Sequence, residues 1–200
     1  MQLLLVTPPA APLISLAEAK AHLRVEHDVE NDYIPTLAAA AEALVAGRDG
    51  WTGRALTEQT WRLTLPGFPL SERLRLPFPP LVSVTHVKYY PGPADVGVEG
   101  PSLSVPETFD PARYVVMVDD TPGFIQLLAT FGWPSTYPRA DAVEIEFVCG
   151  YATVPAPIKH AALIVLAALY RNRGDEQFAM PEAVRRLLAP YKTWAFNDRA

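Results

Sequence analysis

Apolar residues recur at helical spacing near the start of the chain. Ser15 precedes the first such segment and Glu18 follows it by three residues, a capping box that predicts a helix from about Leu16 to Arg24. Asp32 is placed to cap a second helix, with Pro35 in its first turn. The apolar stripe of this second helix consists of Ile34, Leu37, Ala38, Ala41, Leu44 and Val45. The pattern therefore predicts two helices at this end of the chain.

Helical spacing returns after residue 154. Pro157 suits the first turn of a long helix, and Gly174 is placed to end it. Its broad apolar face consists of Ile158, Ala161, Ala162, Val165, Leu166 and Leu169. A last helix begins at Pro181 and ends at Pro190, and it is expected to bury Val184, Leu187 and Leu188.

Between Thr57 and Gly150 the spacing changes to a period of two, which is typical of half-buried strands. The segments with this period are TWRLTL, RLRLPF, LVSVTHVKYY, RYVVMV, GFIQLL and AVEIEFVCG. Loops rich in Pro and Gly separate them, and the longest runs from Pro91 to Pro111.

These patterns predict an α+β fold, in which an N-terminal helical hairpin and C-terminal helices pack together around an inserted antiparallel β-sandwich or small barrel. The expected boundaries are 1–56 for the N-terminal helical part and 57–153 for the β-rich insertion. Residues 154–190 complete the helical part, and 191–200 form a C-terminal tail.

Composition adds an expectation of oligomerisation. Half of the 200 residues are hydrophobic and the mean hydropathy is +0.08, which is high for a chain that keeps all of its surface in water. Seventeen basic and twenty-two acidic residues give a net charge of −5, which disfavours a grip on nucleic acid through its phosphates.

Cys149 is the single cysteine, so neither an intrachain disulfide nor a cysteine-rich zinc site is expected, and an intracellular origin fits. The segment MQLLLVTPPAAP lacks the features of a signal peptide. The apolar run from Ala161 to Leu169 is far shorter than the ~20 residues that span a bilayer. We therefore expect no membrane association.

No phosphate-binding loop, nucleophile elbow or metalloprotease helix occurs, so no catalytic residue, metal or cofactor is predicted. Cys149 and His160 together could act as a nucleophile and base, although Cys149 shares an apolar strand face and fits a buried structural thiol better. His22 and His27 are spaced too loosely for a convincing metal pair, and the carboxylates beside them fit a solvated acidic loop.

Glu144 and Glu146 alternate with apolar neighbours and are expected on the outer face of a strand, where they meet solvent or line an acidic surface. His86 also lies in a strand and fits a hydrogen-bonded or exposed histidine. Arg73 and Arg75 are candidates for pairing with acidic groups of an adjacent subunit.

The tail carries three aromatic residues, Tyr191, Trp194 and Phe196, after Pro190 has ended the last helix. Aromatic side chains are the commonest anchors of protein interfaces. The tail therefore predicts a partner, and the alternative is that its rings fold back on their own domain or fray.

Five blocks in order along the chain resemble head-tail connector (adaptor) proteins of long-tailed phages and prophage-derived gene transfer agents. The blocks are ISLAEAKAHLRVEHDVENDYI, TGRALTEQTWRLTLPGFP, LRLPFPPLVSVTHVKYY, VEIEFVCGYATVPAPIKHAALIVLAALYRNR and LLAPYKTWAF. The long loop from Pro91 to Pro111 departs from the pattern of that family.

The resemblance implies a non-enzymatic protein that forms a dodecameric ring beneath the portal, in the head-tail neck of a particle assembled in the host cytoplasm. DNA would pass through the ring without sequence-specific binding, and a tail-completion or stopper protein would follow below. Carried over to this chain, the portal contacts are Tyr191, Lys192, Trp194 and Phe196. The alternative hypothesis is a small-molecule-binding β-domain, or a hydrolase that uses Cys149 and His160.

Overall fold

The computed structural model describes residues 1–92, 105–173 and 178–193, and the chain divides into two compact units. The helical unit takes its described residues from 9–57 and 151–195, and the β unit takes its described residues from 1–8 and 58–150. Each unit is therefore built from segments that are far apart in sequence.

Four helices form the helical unit: α1 (Leu16–Leu23), α2 (Tyr33–Val45), α3 (Ala156–Asn172) and α4 (Glu182–Leu188). They share one apolar core, whose buried members include Ile34, Ala38, Ala41, Val45, Ile158, Ala161, Ala162, Val165, Leu166, Val184 and Leu188. Each large side chain buried there contributes roughly 1.5–3 kcal/mol. The prediction that N-terminal and C-terminal helices pack together is confirmed.

The helix ends agree with the sequence only in part. The capping box is present: the Glu18 N–H donates to Ser15 Oγ at 3.3 Å, and the Ser15 N–H donates to Glu18 Oε2 at 3.0 Å. Asp32 does precede α2, but its backbone is already helical and its carboxylate makes no capping bond. Arg173, in the left-handed region at φ 42°, follows α3, and Gly174 lies outside the described residues.

The acidic segment between α1 and α2 fastens the helices to one another. Asp28 accepts a hydrogen bond from Lys20 Nζ at 2.8 Å, which lowers the pKa of the carboxyl group. Glu30 accepts a bond from the Tyr170 hydroxyl, the largest cause of its lowered pKa, and a second bond from Arg173 at 2.7 Å. Glu30 therefore ties the start of α2 to the end of α3.

The described residues of the β unit include a five-stranded antiparallel sheet. Its strands are β1 (Gln2–Thr7), β2 (Gln59–Leu65), β4 (Leu81–Tyr89), β5 (Glu107–Thr108) and β8 (Val143–Cys149). They lie in the order β1-β2-β8-β4-β5. The central strand β8 alternates strictly, with Val143, Ile145, Phe147 and Cys149 fully buried. One face of this sheet is therefore core, as the period of two predicts.

The second sheet has three antiparallel strands in the order β3-β7-β6: β3 (Arg73–Arg75), β6 (Tyr114–Met117) and β7 (Phe124–Leu127). The α+β prediction is confirmed. The described strands form two open sheets rather than a closed barrel, so a sandwich-like arrangement fits and the barrel does not.

An aromatic cluster links strands of the two sheets. Phe68 stacks on Trp133 at 4.7 Å between ring centroids, and Phe109 stacks on Tyr114 of β6 at 5.8 Å. Tyr89 of β4 lies 6.3 Å from the Phe109 ring. Such aromatic pairs stabilise by about 0.5–1.5 kcal/mol each beyond the area they bury. The cluster therefore helps to hold the β unit together.

Strand β1 departs from the predicted boundaries, which placed residues 1–56 in the helical part. Gln2–Thr7 pairs with β2 through Leu3 opposite Leu63 and Leu5 opposite Trp61. The segment was missed because QLLLVT shows no alternation of polar and apolar residues. Within the described ranges, no helix is both long enough and apolar enough to cross a membrane.

The ion pair between α1 and α3 predicts a pH-dependent stability. Lys159 Nζ lies 2.6 Å from Glu18 Oε1, and this hydrogen bond, with the capping bonds from Ser15, lowers the pKa of Glu18 from 4.5 to about 2. Because the folded-state pKa is lowered, the stabilisation is complete above pH 4.5 and is lost as the pH falls towards 2. Glu18→Gln keeps a side chain that can cap the helix but removes the charge.

We expect Glu18→Gln to lower the free energy of unfolding by about 0.5 kcal/mol at pH 7, a small value because the pair is partly solvated. In urea titrations this difference should disappear near pH 2. Glu26→Gln, an exposed change in the same region, is the matched control and should leave stability unchanged at both pH values. An equal loss at pH 7 and pH 2 would contradict the assignment to the ion pair.

Candidate functional site

The described end of the chain is fastened to the turn that follows α2. Both the N–H and the hydroxyl of Thr193 donate to the Thr52 carbonyl oxygen, at 2.9 Å and 2.7 Å. Two residues earlier, the Tyr191 carbonyl accepts a hydrogen bond from Arg54 Nε at 2.5 Å. The C-terminal segment is therefore held at two successive points, up to the residue just before Trp194.

The turn that receives this segment is itself tightly bonded. Thr52 is fully buried, and both its N–H and its hydroxyl donate to the Val45 carbonyl, at 3.0 Å and 2.6 Å. The Gly47 N–H donates to the Arg54 carbonyl at 2.7 Å. These hydrogen bonds fix the backbone of the turn, so the turn offers the C-terminal segment a firm support.

Gly53 lets the two segments approach closely. Its φ is +66°, in the left-handed region, and a Cβ built on it would lie 2.6 Å from Thr193 Oγ1. The glycine is required twice over, once by its backbone conformation and once by the space that the Thr193 hydroxyl occupies.

Trp51 lies beside this anchor and carries two cations on its ring. Lys192 Nζ is 4.4 Å from the ring centroid, and Arg185 Cζ is 5.6 Å from it. A cation over an aromatic face gains about 0.5–1 kcal/mol at an exposed site. The indole Nε1 is buried and has no hydrogen-bond partner among residues 1–92, 105–173 and 178–193.

A cleft of about 420 Å³ opens at the same place. It is lined by Leu44, Asp49, Gly50, Trp51, Phe178, Met180 and Lys192. Its walls are mostly apolar, with one carboxylate and one ammonium group. This chemistry suits an apolar side chain that arrives with a hydrogen-bond acceptor.

The structure brings two of the four predicted site residues to this region. Tyr191 is half-buried against the helical core, so part of its ring is used within the fold, whereas Lys192 is exposed beside Trp51. Trp194 and Phe196 lie outside the described residues. Their role, like that of Tyr191 and Lys192 as binding residues, stays a prediction.

Sequence reasoning missed Trp51. The signal was present, because a large aromatic residue stands between Gly50 and Gly53 where the helical spacing has already ended. Its contacts with Arg185 and Lys192 were not accessible from sequence, since about 135 residues separate the partners.

The hypothesis of a cysteine nucleophile finds no support in the geometry. Cys149 is fully buried at the end of β8, and burial raises the pKa of its thiol to about 12. The reactive thiolate is therefore scarcely populated at neutral pH. His160, the base in that hypothesis, is an exposed residue of α3 whose ring meets His22 edge-on at 6.3 Å.

The expected acidic sheet face is partly neutralised by its neighbours. Arg62 reaches Glu144 at 3.5 Å and Glu146 at 3.0 Å, and His86 Nε2 lies 3.2 Å from Glu144. The bond to Glu146 is the main cause of the raised pKa of Arg62. Among the described residues, no three potential metal ligands lie close enough together to hold an ion.

No family model matches the chain, and no curated protein matches it significantly. Three solved structures are similar over 99% of this chain and 98% of theirs. The first is the neck of an empty gene transfer agent (GTA) particle computed with C6 symmetry, at 24% sequence identity and a TM-score of 0.78. The second is the virion of a native GTA particle, at 25% identity and a TM-score of 0.75. The third is the neck of a native GTA particle computed with C12 symmetry, at 24% identity and a TM-score of 0.68.

The chain thus has the fold of a neck component of a gene transfer agent particle, and the similarity extends over both of its units. The resemblance drawn from the five sequence blocks is confirmed at the level of the fold. Similarity to parts of a particle supports a structural rather than a catalytic class of protein.

The close approach at Gly53 predicts a specific effect of Gly53→Ala. An alanine at positive φ costs about 1–2 kcal/mol, and displacement of the Thr193 hydroxyl costs about 1 kcal/mol more. Gly47→Ala is the matched control, because it has a similar φ of +75° but open space around the new Cβ. Hydrogen exchange of the Thr193 amide should accelerate in Gly53→Ala only, and equal exchange in the two variants would contradict the proposed clash.

Burial of Cys149 predicts that its thiol is inert while the protein is folded. A thiol reagent such as DTNB should react with less than one tenth of the protein in an hour at pH 7.5, because few chains expose the thiolate. Denatured protein should react completely. Fast labelling of the folded chain would revive the hydrolase hypothesis.

Proposed function

We propose that this protein is a structural adaptor that forms a ring beneath the portal, joins the DNA-filled head to the tail and lets DNA pass. The observation that carries the proposal is the similarity, over nearly the whole chain, to components of GTA particles whose necks were computed with C6 and C12 symmetry. A ring of copies of this chain, twelve by the family resemblance, is the corresponding assembly.

The anchored C-terminal segment supports a role in binding the portal. Thr52 and Arg54 hold the chain up to Thr193, so the residue directly before Trp194 is fixed in position. Pre-ordering one side of an interface lowers the entropy cost of association. Lys192, Trp194 and Phe196, along with Tyr191, are the proposed contacts.

The cleft beside Trp51 offers the portal a complementary surface. It combines apolar walls with the ammonium group of the exposed Lys192. A portal segment with one apolar side chain and one backbone or carboxylate oxygen would satisfy both features.

The charge of the chain suits a passive conduit. Each copy carries a net charge of −5, so a ring of copies repels the phosphate backbone weakly, and DNA slides where a basic lumen would hold it. A tail-completion or stopper protein is the proposed partner below the ring. The hydrolase alternative has no supporting observation, because the Cys149 thiol is buried and protonated.

The tail residues provide the test. Trp194→Ala combined with Phe196→Ala should leave heads intact and filled with DNA but unjoined to tails, because hot-spot aromatics contribute about 2 kcal/mol or more each. Affinity for purified portal should fall at least 30-fold. Lys192→Ala should weaken binding by about 2–5-fold, in line with loss of one exposed cation.

Arg186→Ala is the control for charge, since Arg186 is an exposed cation of α4 whose partner is Glu182 on the same helix. It should bind portal as the wild type does. Electron microscopy of particles counts joined heads, and interferometry with immobilised portal measures affinity. Wild-type joining by the double tail variant would show that the tail is not the portal contact.

A further inference from the structure

Exposed apolar side chains gather on two strands of the β unit. On β1, Leu4 is 54% exposed, and Leu5 and Val6 are each 39% exposed. On β6 and directly after it, Val115, Met117 and Val118 are between 37% and 45% exposed. The other large exposed apolar residues of the described chain are mostly scattered singly through loops.

Both strands are edges of their sheets. Among the described residues, β1 pairs with β2 alone and β6 with β7 alone, so each is an edge strand whose other side has backbone N–H and C=O groups that can pair. Natural proteins usually protect such edges with charged residues or proline. Neither QLLLVT nor YVVMV contains one. We therefore expect another strand to pair with each of these edges in the assembled protein.

We propose that β1 of one subunit pairs with β6 of the next subunit around the ring. This inference rests on the proposed ring assembly. A head-to-tail ring requires two different, mutually complementary surfaces on every copy, because each copy must bind one neighbour with each of them. The two edges meet this requirement, since they belong to different sheets and the N–H and C=O groups of one can pair with the C=O and N–H groups of the other.

Charge at the strand ends favours an antiparallel pairing. The Thr7 end of β1 lies beside the start of β2, which Glu58 precedes, because Thr7 is opposite Thr60. Arg113 precedes β6 and lies 3.9 Å from its nearest carboxylate, that of Asp110. Antiparallel pairing brings the Glu58 end towards the Arg113 end. Parallel pairing would instead bring the Glu58 end towards Asp119 and Asp120, which follow β6, and the like charges would repel.

The area available explains why a second copy of the chain alone would bind weakly. The six exposed side chains offer on the order of 500 Å² in total, well below the ~1,600 Å² of a stable pairwise complex. A closed ring uses both edges of every copy, so its contacts reinforce one another. Assembly should therefore be steeply concentration-dependent, or should require the portal.

Paired cysteines test the contact directly. The variant with both Leu4→Cys and Val115→Cys, treated with a short bismaleimide under conditions where rings are seen by negative stain, should give a ladder of covalent multimers on a denaturing gel. Each single variant should stay at the size of one chain. The buried native Cys149 should not contribute to the ladder.

Val29→Cys combined with Val115→Cys is the matched control, because Val29 is 90% exposed but belongs to the helical unit. It should give no ladder. Covalent dimers from Leu4→Cys alone would show that β1 pairs with itself, and rings without a ladder from Leu4→Cys/Val115→Cys would place the contact elsewhere. Either result overturns this inference and leaves the adaptor function standing.

Introducing a pair of opposite charges provides a second test that needs no cross-linking. Leu4→Lys should abolish rings, and Leu4→Lys combined with Val115→Asp should restore them, with circular dichroism confirming that each variant is folded. A failure of Val115→Asp to restore assembly would contradict the β1–β6 contact. If the unmodified protein forms no ring, alone or with portal, both this inference and the adaptor function are wrong.

Discussion

The proposed binding end of this protein depends on one carbonyl oxygen, that of Thr52, which accepts two hydrogen bonds from Thr193. Thr52 is fully buried, so loss of these bonds would leave a polar atom without compensation from water, at a cost of about 1–3 kcal/mol. This constraint explains the sequence around it. Gly53 provides room for the Thr193 hydroxyl, and Arg54 reaches back to the Tyr191 carbonyl.

The charged groups that sequence analysis singled out are used mainly within the fold. Arg62 balances Glu144 and Glu146 on the outer face of the large sheet, and Glu30 fastens α2 to α3. Catalytic sites typically leave polar groups poised towards a cleft, with pKa values shifted for proton transfer. Here the charges are paired within each unit, which fits a structural rather than a catalytic class of protein.

The sequence predicted the elements that its periodicity marks strongly. Both helical regions and the alternation of β8 were recovered, because apolar residues at regular spacing put one face of each in the core. The capping box was also correct, since it is a local device. Features that depend on distant partners were not predicted: β1 shows no alternation, the aromatic cluster gathers residues from separate strands and loops, and Trp51 meets Lys192 only in the folded chain.

The divided helical unit has a consequence for the order of synthesis. Helices α1 and α2 emerge from the ribosome directly after β1, but the apolar surface they present is completed only by α3 and α4, which follow all strands of the β unit. In a nascent or truncated chain the apolar faces of α1 and α2 therefore stay exposed. Such a chain also lacks the Tyr191–Thr193 segment that binds to the turn after α2. The helical core is therefore complete only when the C-terminal helices have been synthesised.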